Sequence, residues 1–583
     1  MKKRQIIILF IIPSLLALTA ILLHYAHGPY WIGYNFDPDY LYLINSLALS
    51  ESKQTLTTGN PGTTLQMLGA MIMHIVHFLD YSSSGNLENS VLSKPENYLL
   101  IINIVLISFI TIMLFIIGYV AFSLTNNILF SLILQLSPFL SNGMLTQGYL
   151  HVSPESLLLF SSILFMTIMI KIIYCKNDCQ LPALNLYYIA LPIVCGFGMA
   201  TKLTFAPFIL IPLFVLPDLK NKILFLILTL LSFVFWTYPI IPQYGNLLNW
   251  YYKIITHKGY YGLGSSGWVD IDTYFRNLFY LLSADPLCFL IILFSAGFIA
   301  KTIWFSAKRR RAWQDVSFRI LLAVVVAQLF GILICAKHPS DRYLIPVFSL
   351  SGFTLFLILL FSRRMNYSNF FNAGKWMLCL LPILILVGGW RMYDLKNIFN
   401  QKNQIKKESI IVNNLLEKDF KNCVKISYNI PSLGASSSPA VALGFANFFI
   451  ARGIYSDLLQ KIYGDAYFYN ILNGKLYSWT EELSVREIME RGYGKGIIFY
   501  GPPTHYFGNK LICLDRVSKK GIRELSIENT VFNADNKMLL QCSPLNGLVD
   551  KTACGSYKIF YLNDVIGGEY QTIYVVSKIK EGS

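Results

Sequence analysis

Asp37 and Asp39 are the first acidic residues in a chain of 583, and they follow an apolar run from Ile6 to Leu23 in the stretch Tyr34-Asn-Phe-Asp37-Pro38-Asp39-Tyr-Leu-Tyr42. A carboxylate that is free and partly desolvated can take the proton of a hydroxyl at neutral pH. Placed where a chain leaves a bilayer, the pair points to chemistry on a substrate carried by lipid. The same residues also spell a helix start, with Asp37 as N-cap, Pro38 in the first position and Asp39 in the first turn. The two readings are compatible, because a cap holds a carboxylate in place.

A further acid, Glu155, stands in His151-Val-Ser-Pro-Glu155-Ser at the mouth of a later apolar run. Acids entering hydrocarbon are costly and often functional, although Ser153-Pro154 also reads as a cap with Glu155 in the first turn. Two cationic elements could answer an anionic substrate. Lys202, in Gly198-Met-Ala-Thr-Lys202-Leu-Thr, lies between two short apolar runs and either snorkels to head groups or holds a phosphate. His338, Arg342 and Tyr343 form the other, in Lys337-His-Pro-Ser-Asp-Arg342-Tyr343. Arg342 offers a planar fork suited to phosphate, or serves as an interface anchor. Asn60-Pro-Gly-Thr-Thr64 reads as another helix start, with turn residues first and hydroxyl caps after. The Gly-rich aromatic stretch 256–277 reads as an exposed connector or a lid. His74 and His77 make at most a partial metal-ligand pattern, and no spacing assigns a metal or another cofactor.

The elements that must position these residues are membrane helices. The chain is 54% hydrophobic and 14% charged, with a mean hydropathy of +0.50, whereas soluble domains carry roughly 25% charged residues. The net charge of +16 sits in short basic clusters between apolar runs, the distribution of cytoplasmic loops and not of a nucleic-acid-binding surface. Segments able to span about 30 Å of hydrocarbon fall near 6–23, 99–124, 127–146, 153–174, 222–242, 278–300, 316–336, 343–361 and 375–391, and shorter runs at 185–200 and 203–216 flank Lys202. The first run lacks a small-residue cleavage site and reads as an uncleaved span. The run 64–79 is barely long enough to cross. If it lies on the outer surface, Lys171/Lys176, Lys220/Lys222, Lys308–Arg311 and Arg363-Arg364 share the side of the basic N-terminus. If it crosses, all of them flip outward, against the positive-inside rule. The expectation is a polytopic α-helical membrane protein of about eleven transmembrane helices with outer-face surface helices. Its N-terminus is cytoplasmic, and the outer loop 24–98, the Glu155 turn, the Lys202 turn and the 337–342 segment share the outer face.

From about 392 onward charge and Gly, Asn and Ser content rise. Val424–Tyr428 and Gly496–Tyr500 read as buried strands, and Ser484–Arg491 as a helix with a capping box through Glu487. This divides the chain into a transmembrane domain, 1–391, and an extracytoplasmic soluble α/β domain, 392–583, without a nucleotide-binding glycine fingerprint. The ten cysteines show no CxxC pair. Among Cys423, Cys513, Cys542 and Cys554, the nearest candidates for a disulfide in an oxidising compartment are Cys542 and Cys554.

The order of these motifs and their shared membrane side resemble the C-type superfamily of integral membrane glycosyltransferases, which includes the protein O-mannosyltransferases and the aminoarabinose transferases that modify lipid A. The matching positions are Asp37/Asp39, the surface helix opened by Asn60, Glu155, the Gly-Met-Ala-Thr-Lys202 turn and Asp341-Arg342-Tyr343-Leu-Ile-Pro346. The resemblance covers residues 1–391. Pro38 separates the acids where relatives often have adjacent Asp-Glu, and the C-terminal domain has no counterpart. The resemblance implies a bacterial cytoplasmic-membrane enzyme with a polyprenyl-phosphate sugar donor, inverting transfer on the outer face, and an envelope glycan, lipid or protein as acceptor. The physical account is a single displacement. Asp37 or Asp39 takes the proton of the acceptor hydroxyl, and Glu155 orients the sugar or acceptor. Lys202 and Arg342, with His338 and Tyr343, hold the departing lipid phosphate. A transporter or flippase would instead carry repeats and mid-span ionisable residues. A polysaccharide ligase or polymerase would use a large outer loop between late spans, and a non-catalytic scaffold would make no glycan product.

Overall fold

Long apolar runs become helices because in hydrocarbon every backbone N–H and C=O must be satisfied within the segment. The structure, a computed structural model, describes residues 3–32, 38–54, 59–80, 85–178, 181–259, 262, 264–305, 309–365, 373–418, 424–429, 439–449, 453–470, 475–479, 481–483, 487, 497–501, 512–518, 521–526, 557–561 and 572–578. Asp37, Cys423, Cys542, Cys554 and all of 484–491 except Glu487 lie outside the described residues. Among the described residues, seven helices are long and apolar enough to cross a membrane: Arg4–His27, Pro95–Thr125, Pro154–Tyr174, Leu219–Trp236, Pro286–Trp304, Val316–Cys335 and Asp341–Arg364. They fall on seven of the expected spans. The expected short pair appears as Tyr188–Thr201 and Leu203–Val215, and the run 64–79 as the helix Thr63–Leu79.

The segment 127–146 corrects the expectation of one continuous span. It is built from a helix, Ile128–Gln135, a 3-10 turn, Ser137–Leu140, and a short helix, Asn142–Gln147. Pro138 lacks the N–H that a continuing helix would use, and its ring collides with the preceding turn. The last expected span, 375–391, is part of one 46-residue helix, Ala373–Lys418.

The chain forms two compact units, one of Met1–His24, Ala48–Ile72 and Leu100–Ile398, the other of Tyr25–Leu47, Met73–Leu99 and Phe399–Ser583. In the first, Pro154–Tyr174 and Asp341–Arg364 are central, with 83% and 89% of their apolar stretch buried, whereas Leu219–Trp236 has 11% buried. That peripheral helix turns Leu230, Leu231 and Phe235 outward, the side-chain chemistry of a lipid-facing surface. Buried amides brace the bundle where backbone carbonyls need donors. Gln135 Nε2 donates to the carbonyls of Leu9 (2.9 Å) and Leu114 (3.0 Å), and Gln328 Nε2 donates to that of Val347 (3.0 Å).

The second unit holds a mixed sheet. Its strands are β1 (Val424–Asn429), β2 (Tyr467–Asn470), β3 (Lys475–Tyr477), β4 (Glu482–Leu483), β5 (Ile497–Gly501), β8 (Tyr557–Tyr561) and β9 (Thr572–Lys578), in the order β4-β3-β2-β1-β5-β9-β8. Strand β1 is parallel to both neighbours, with Ile426 opposite Tyr467 and Phe499. The helices Pro439–Phe449 and Ser456–Tyr463 lie between β1 and β2 in the chain, as a parallel crossover requires. A separate hairpin pairs β6 (Ile512–Ser518) with β7 (Gly521–Ser526). The expected strand at 424, a strand over Ile497–Gly501 and the α/β character are therefore present.

Candidate functional site

Pro154 starts the helix Pro154–Asp178, and Glu155 occupies its first turn, where the helix dipole favours a carboxylate. The turn before it is tied down at two points. Asn103 Nδ2 donates to the carbonyls of Tyr149 and Leu150, both at 3.3 Å, and the Ser153 hydroxyl donates to that of Gln147 at 2.9 Å.

Lys202 is set by the end of the helix Leu181–Thr201. Its N–H still donates to the Gly198 carbonyl at 2.9 Å, but its backbone is extended (φ −164°, ψ 139°) before the 3-10 turn Leu203–Ile209. Gly198 is required here, since a side chain would meet the Phe205 ring. The hydroxyls of Thr63 and Thr64 reach this turn. Thr63 Oγ1 donates to the Ala200 carbonyl (3.4 Å), and Thr64 Oγ1 pairs with Thr201 Oγ1 at 2.7 Å. Thr201 spends its own proton on the Phe197 carbonyl, so Thr64 is the donor to Thr201. The expectation of local hydroxyl caps at 63–64 is thus corrected: these groups bind another helix end.

Lys202 Nζ forms an ion pair with Glu155 Oε1, the two side chains being 3% and 2% exposed. The lysine therefore does not snorkel. Its Nζ also sits 4.5 Å from the centroid of the Tyr343 ring, and the Arg342 guanidinium lies 5.5 Å from the same ring. The Arg342 charge acts on Glu155 as well. Burial of two ions is stable only when each is well satisfied, because desolvation costs several kcal/mol per ion. Here one carboxylate balances one ammonium, and one aromatic ring lies near two cations. The structure thus brings Glu155, Lys202, Arg342 and Tyr343 together.

His338 lies on the short connection between Val316–Cys335 and Asp341–Leu344, its N–H donating to the Cys335 carbonyl at 3.0 Å. Burial, reinforced by the Lys337 charge, pushes its imidazole down to about 4. The ring is neutral near pH 7, so the cationic character expected of this element belongs to Arg342. Lys337 Nζ donates to the Ile255 carbonyl at 2.9 Å, tying the segment to the helix Tyr244–Thr256. The stretch beyond that helix folds back on itself, with Lys258 N–H bonded to Ser265 O and Gly267 N–H to Thr256 O, both 2.8 Å. No group of three or more His, Cys, Asp or Glu that could hold a metal occurs among the described residues.

The second unit carries the other expected acid. Asp39 is buried and opens the helix Asp39–Ser50. Tyr42 N–H bonds the Pro38 carbonyl at 3.0 Å, so Pro38 stands at the cap and not at the first helical position as expected. Within this unit lie residues that sequence reasoning passed over. Glu96 accepts from the Tyr40 hydroxyl (2.5 Å) and the Tyr30 N–H (2.8 Å). Burial and the Glu96 charge push the Tyr40 phenol well above its usual value, keeping it a donor. Burial pushes the Lys402 ammonium down to about 8, with the Asp39 charge opposing. A signal for Glu96 exists: Pro95-Glu96 opens an apolar run as Pro154-Glu155 does.

No family model matches the chain, and no curated protein matches it. Solved structures similar to it include ArnT from Cupriavidus metallidurans bound to undecaprenyl phosphate, at 12% identity and a TM-score of 0.46, covering 79% of this chain and 93% of that one. The apo state of ArnT matches at 12% identity and 0.45, covering 82% and 97%. The archaeal oligosaccharyltransferase AglB from Archaeoglobus fulgidus, in complex with an inhibitory peptide and a dolichol-phosphate, matches at 12% and 0.37, covering 70% and 58%.

Proposed function

We propose that the protein is a membrane glycosyltransferase that moves a sugar from a polyprenyl-phosphate donor to an acceptor hydroxyl, with inversion, on the outer face of a bacterial cytoplasmic membrane. The observation that carries this reading is the buried Lys202–Glu155 pair beneath Tyr343, with Arg342 on the same ring. Two cations converge there at the ends of apolar helices, where an anionic lipid head group meets hydrocarbon. Lys202 and Arg342 bind the lipid phosphate and stabilise the charge that grows on it as the sugar leaves. Glu155 positions Lys202. The neutral His338 serves as a hydrogen-bonding group and Tyr343 as the platform that spaces the cations. A carboxylate, Asp37 or Asp39, takes the acceptor proton as the oxygen attacks the anomeric carbon from the face opposite the phosphate. The phosphate is already a stable anion, so the leaving group needs no strong general acid.

The acceptor is an envelope glycan, lipid or protein. A flippase or transporter would favour ionisable groups at mid-helix, whereas Glu155 and Lys202 stand at helix ends. The experiment is twofold. Polyprenyl phosphate binding should weaken in Lys202→Met and Arg342→Ala, and transfer from labelled polyprenyl-phosphate sugars should be lost in Asp37→Asn, Asp39→Asn or both. Wild-type turnover in both aspartate variants removes the base assignment, and wild-type lipid binding in both cation variants removes the phosphate site.

A further inference from the structure

The helix Asp39–Ser50 begins with a buried acid, yet backbone capping alone leaves the approach to it loosely held, because helix ends fray. Within the second unit one carboxylate ties both sides of this approach. Glu96 Oε2 accepts the Tyr30 N–H at 2.8 Å. Its other oxygen, Oε1, accepts the Tyr40 hydroxyl at 2.5 Å. Tyr30 precedes the acidic stretch, and Tyr40 is the residue after Asp39. Tyr30 and Tyr40 are fully buried, so these bonds are made away from water, where losing a partner is expensive. Glu96 is itself rigidly mounted in the first turn of Pro95–Thr125. The short helix before it, Leu87–Ser93, is braced by the Ser90–Tyr98 hydroxyl pair (2.7 Å) and by the Tyr463 hydroxyl on the Leu92 carbonyl (2.7 Å).

We propose that Glu96 is a positioning residue for Asp39, acting through the Tyr30 backbone on one side and the Tyr40 hydroxyl on the other. A carboxylate suits this task because it accepts on both oxygens and donates on neither, so one side chain can gather donors from two directions. Glutamine keeps the shape and one acceptor oxygen, and its amide can donate to the Tyr40 oxygen while its carbonyl takes the Tyr30 N–H. Alanine removes both arms, and Tyr40→Phe removes one without touching Glu96. The inference rests on the proposed role of Asp39 as base, and its test separates the two.

Hydrogen exchange of the full-length protein in detergent reads the clamp directly. Glu96→Ala should raise exchange at Tyr30 and in the first turn of Asp39–Ser50, Tyr40→Phe should raise it in that first turn, and Glu96→Gln should do neither. Transfer from labelled polyprenyl-phosphate sugar reads the consequence. Misplacement on the scale of 1 Å costs roughly 100-fold, so kcat should fall by about 10- to 100-fold in Glu96→Ala and Tyr40→Phe. The donor KM should stay unchanged, the acid limb of the pH profile should move, and Glu96→Gln should recover most of the rate. If Glu96→Ala fails to fold, Tyr40→Phe carries both measurements. Unchanged exchange overturns the clamp, and raised exchange with unchanged kcat overturns positioning. If Asp39→Asn also turns over normally, the base assignment is what has failed.

Discussion

Neutralising Lys202 and Glu155 singly and together separates what the pair does for stability from what it does for a phosphate. Both side chains are almost fully buried, so Lys202→Met leaves a carboxylate in the bundle without its ammonium, which costs about 3–5 kcal/mol. Loss of the cation over Tyr343 adds about 1–2 kcal/mol. Arg342 still attracts the stranded Glu155, which places this variant toward the lower end of the range. Glu155→Gln has no such relief, because Lys202 is then left near a second cation, and it should be the more destabilising single change. The double variant Lys202→Met/Glu155→Gln removes both charges and should recover about 2–3 kcal/mol relative to the sum of the singles. Tryptophan-monitored unfolding in detergent measures these differences. Polyprenyl phosphate binding should behave otherwise. A charged hydrogen bond is worth about 1.5–3 kcal/mol, so Kd should weaken roughly 10- to 100-fold in Lys202→Met. It should stay weak in the stable double variant and tighten in Glu155→Gln. A double variant that binds the lipid as wild type does would show that Lys202 only neutralises Glu155, and additive singles would show that the ion pair is not coupled.

Three further outcomes follow from the geometry. His338 is held near 4 in the folded chain against about 6.5 unfolded; the unfolded state binds the proton first, so its contribution is full above pH 6.5 and is lost as pH falls toward 4. Unfolding midpoints across pH 4–7 should therefore be flatter in His338→Asn than in wild type. Gly198→Ala should destabilise by about 1–3 kcal/mol through collision with the Phe205 ring, and the double change with Phe205→Leu should recover most of that in thermal unfolding. Arg391→Met should cost about 3–5 kcal/mol, since it strands the buried Asp285 at 3.0 Å, and adding Asp285→Asn should return most of the loss.

Spans and charged residues were legible in the sequence for the same reason: hydrocarbon tolerates only long apolar runs, so each exception stands out. Glu155, Lys202 and Arg342 could be picked as isolated polar residues among apolar neighbours. That Lys202 pairs with Glu155 could not, because nothing in either local stretch encodes a partner 47 positions away. Thr63 and Thr64 were misread for a related reason. Hydroxyls at a helix start satisfy local capping rules, but here they find acceptors 137 residues away. The break at Pro138 was a local signal outweighed by an apolar composition that fits a span. Asp285 and Arg391 were invisible as a unit, since the network joining them to Ser141, Asn142 and Asp394 draws on three separate segments.

The pairing changes how the proposed transfer is driven. Two cations alone would hold any lipid phosphate tightly, before and after reaction, and uniform binding of that kind does not raise turnover. With Glu155 against Lys202, the cluster of Glu155, Lys202 and Arg342 carries one net positive charge. A phosphodiester donor carries a single negative charge, and the departing phosphate approaches two, its second proton titrating near pH 6. Coulombic attraction grows with the product of the charges, so the same two cations gain strength as the sugar–oxygen bond breaks. Glu155 subtracts from their hold on the fully formed dianion and so favours its release. In the proposed site a buried acid beside the phosphate-binding lysine thus has a moderating role: it keeps Lys202 aimed while leaving the net charge low enough for a lipid phosphate to depart.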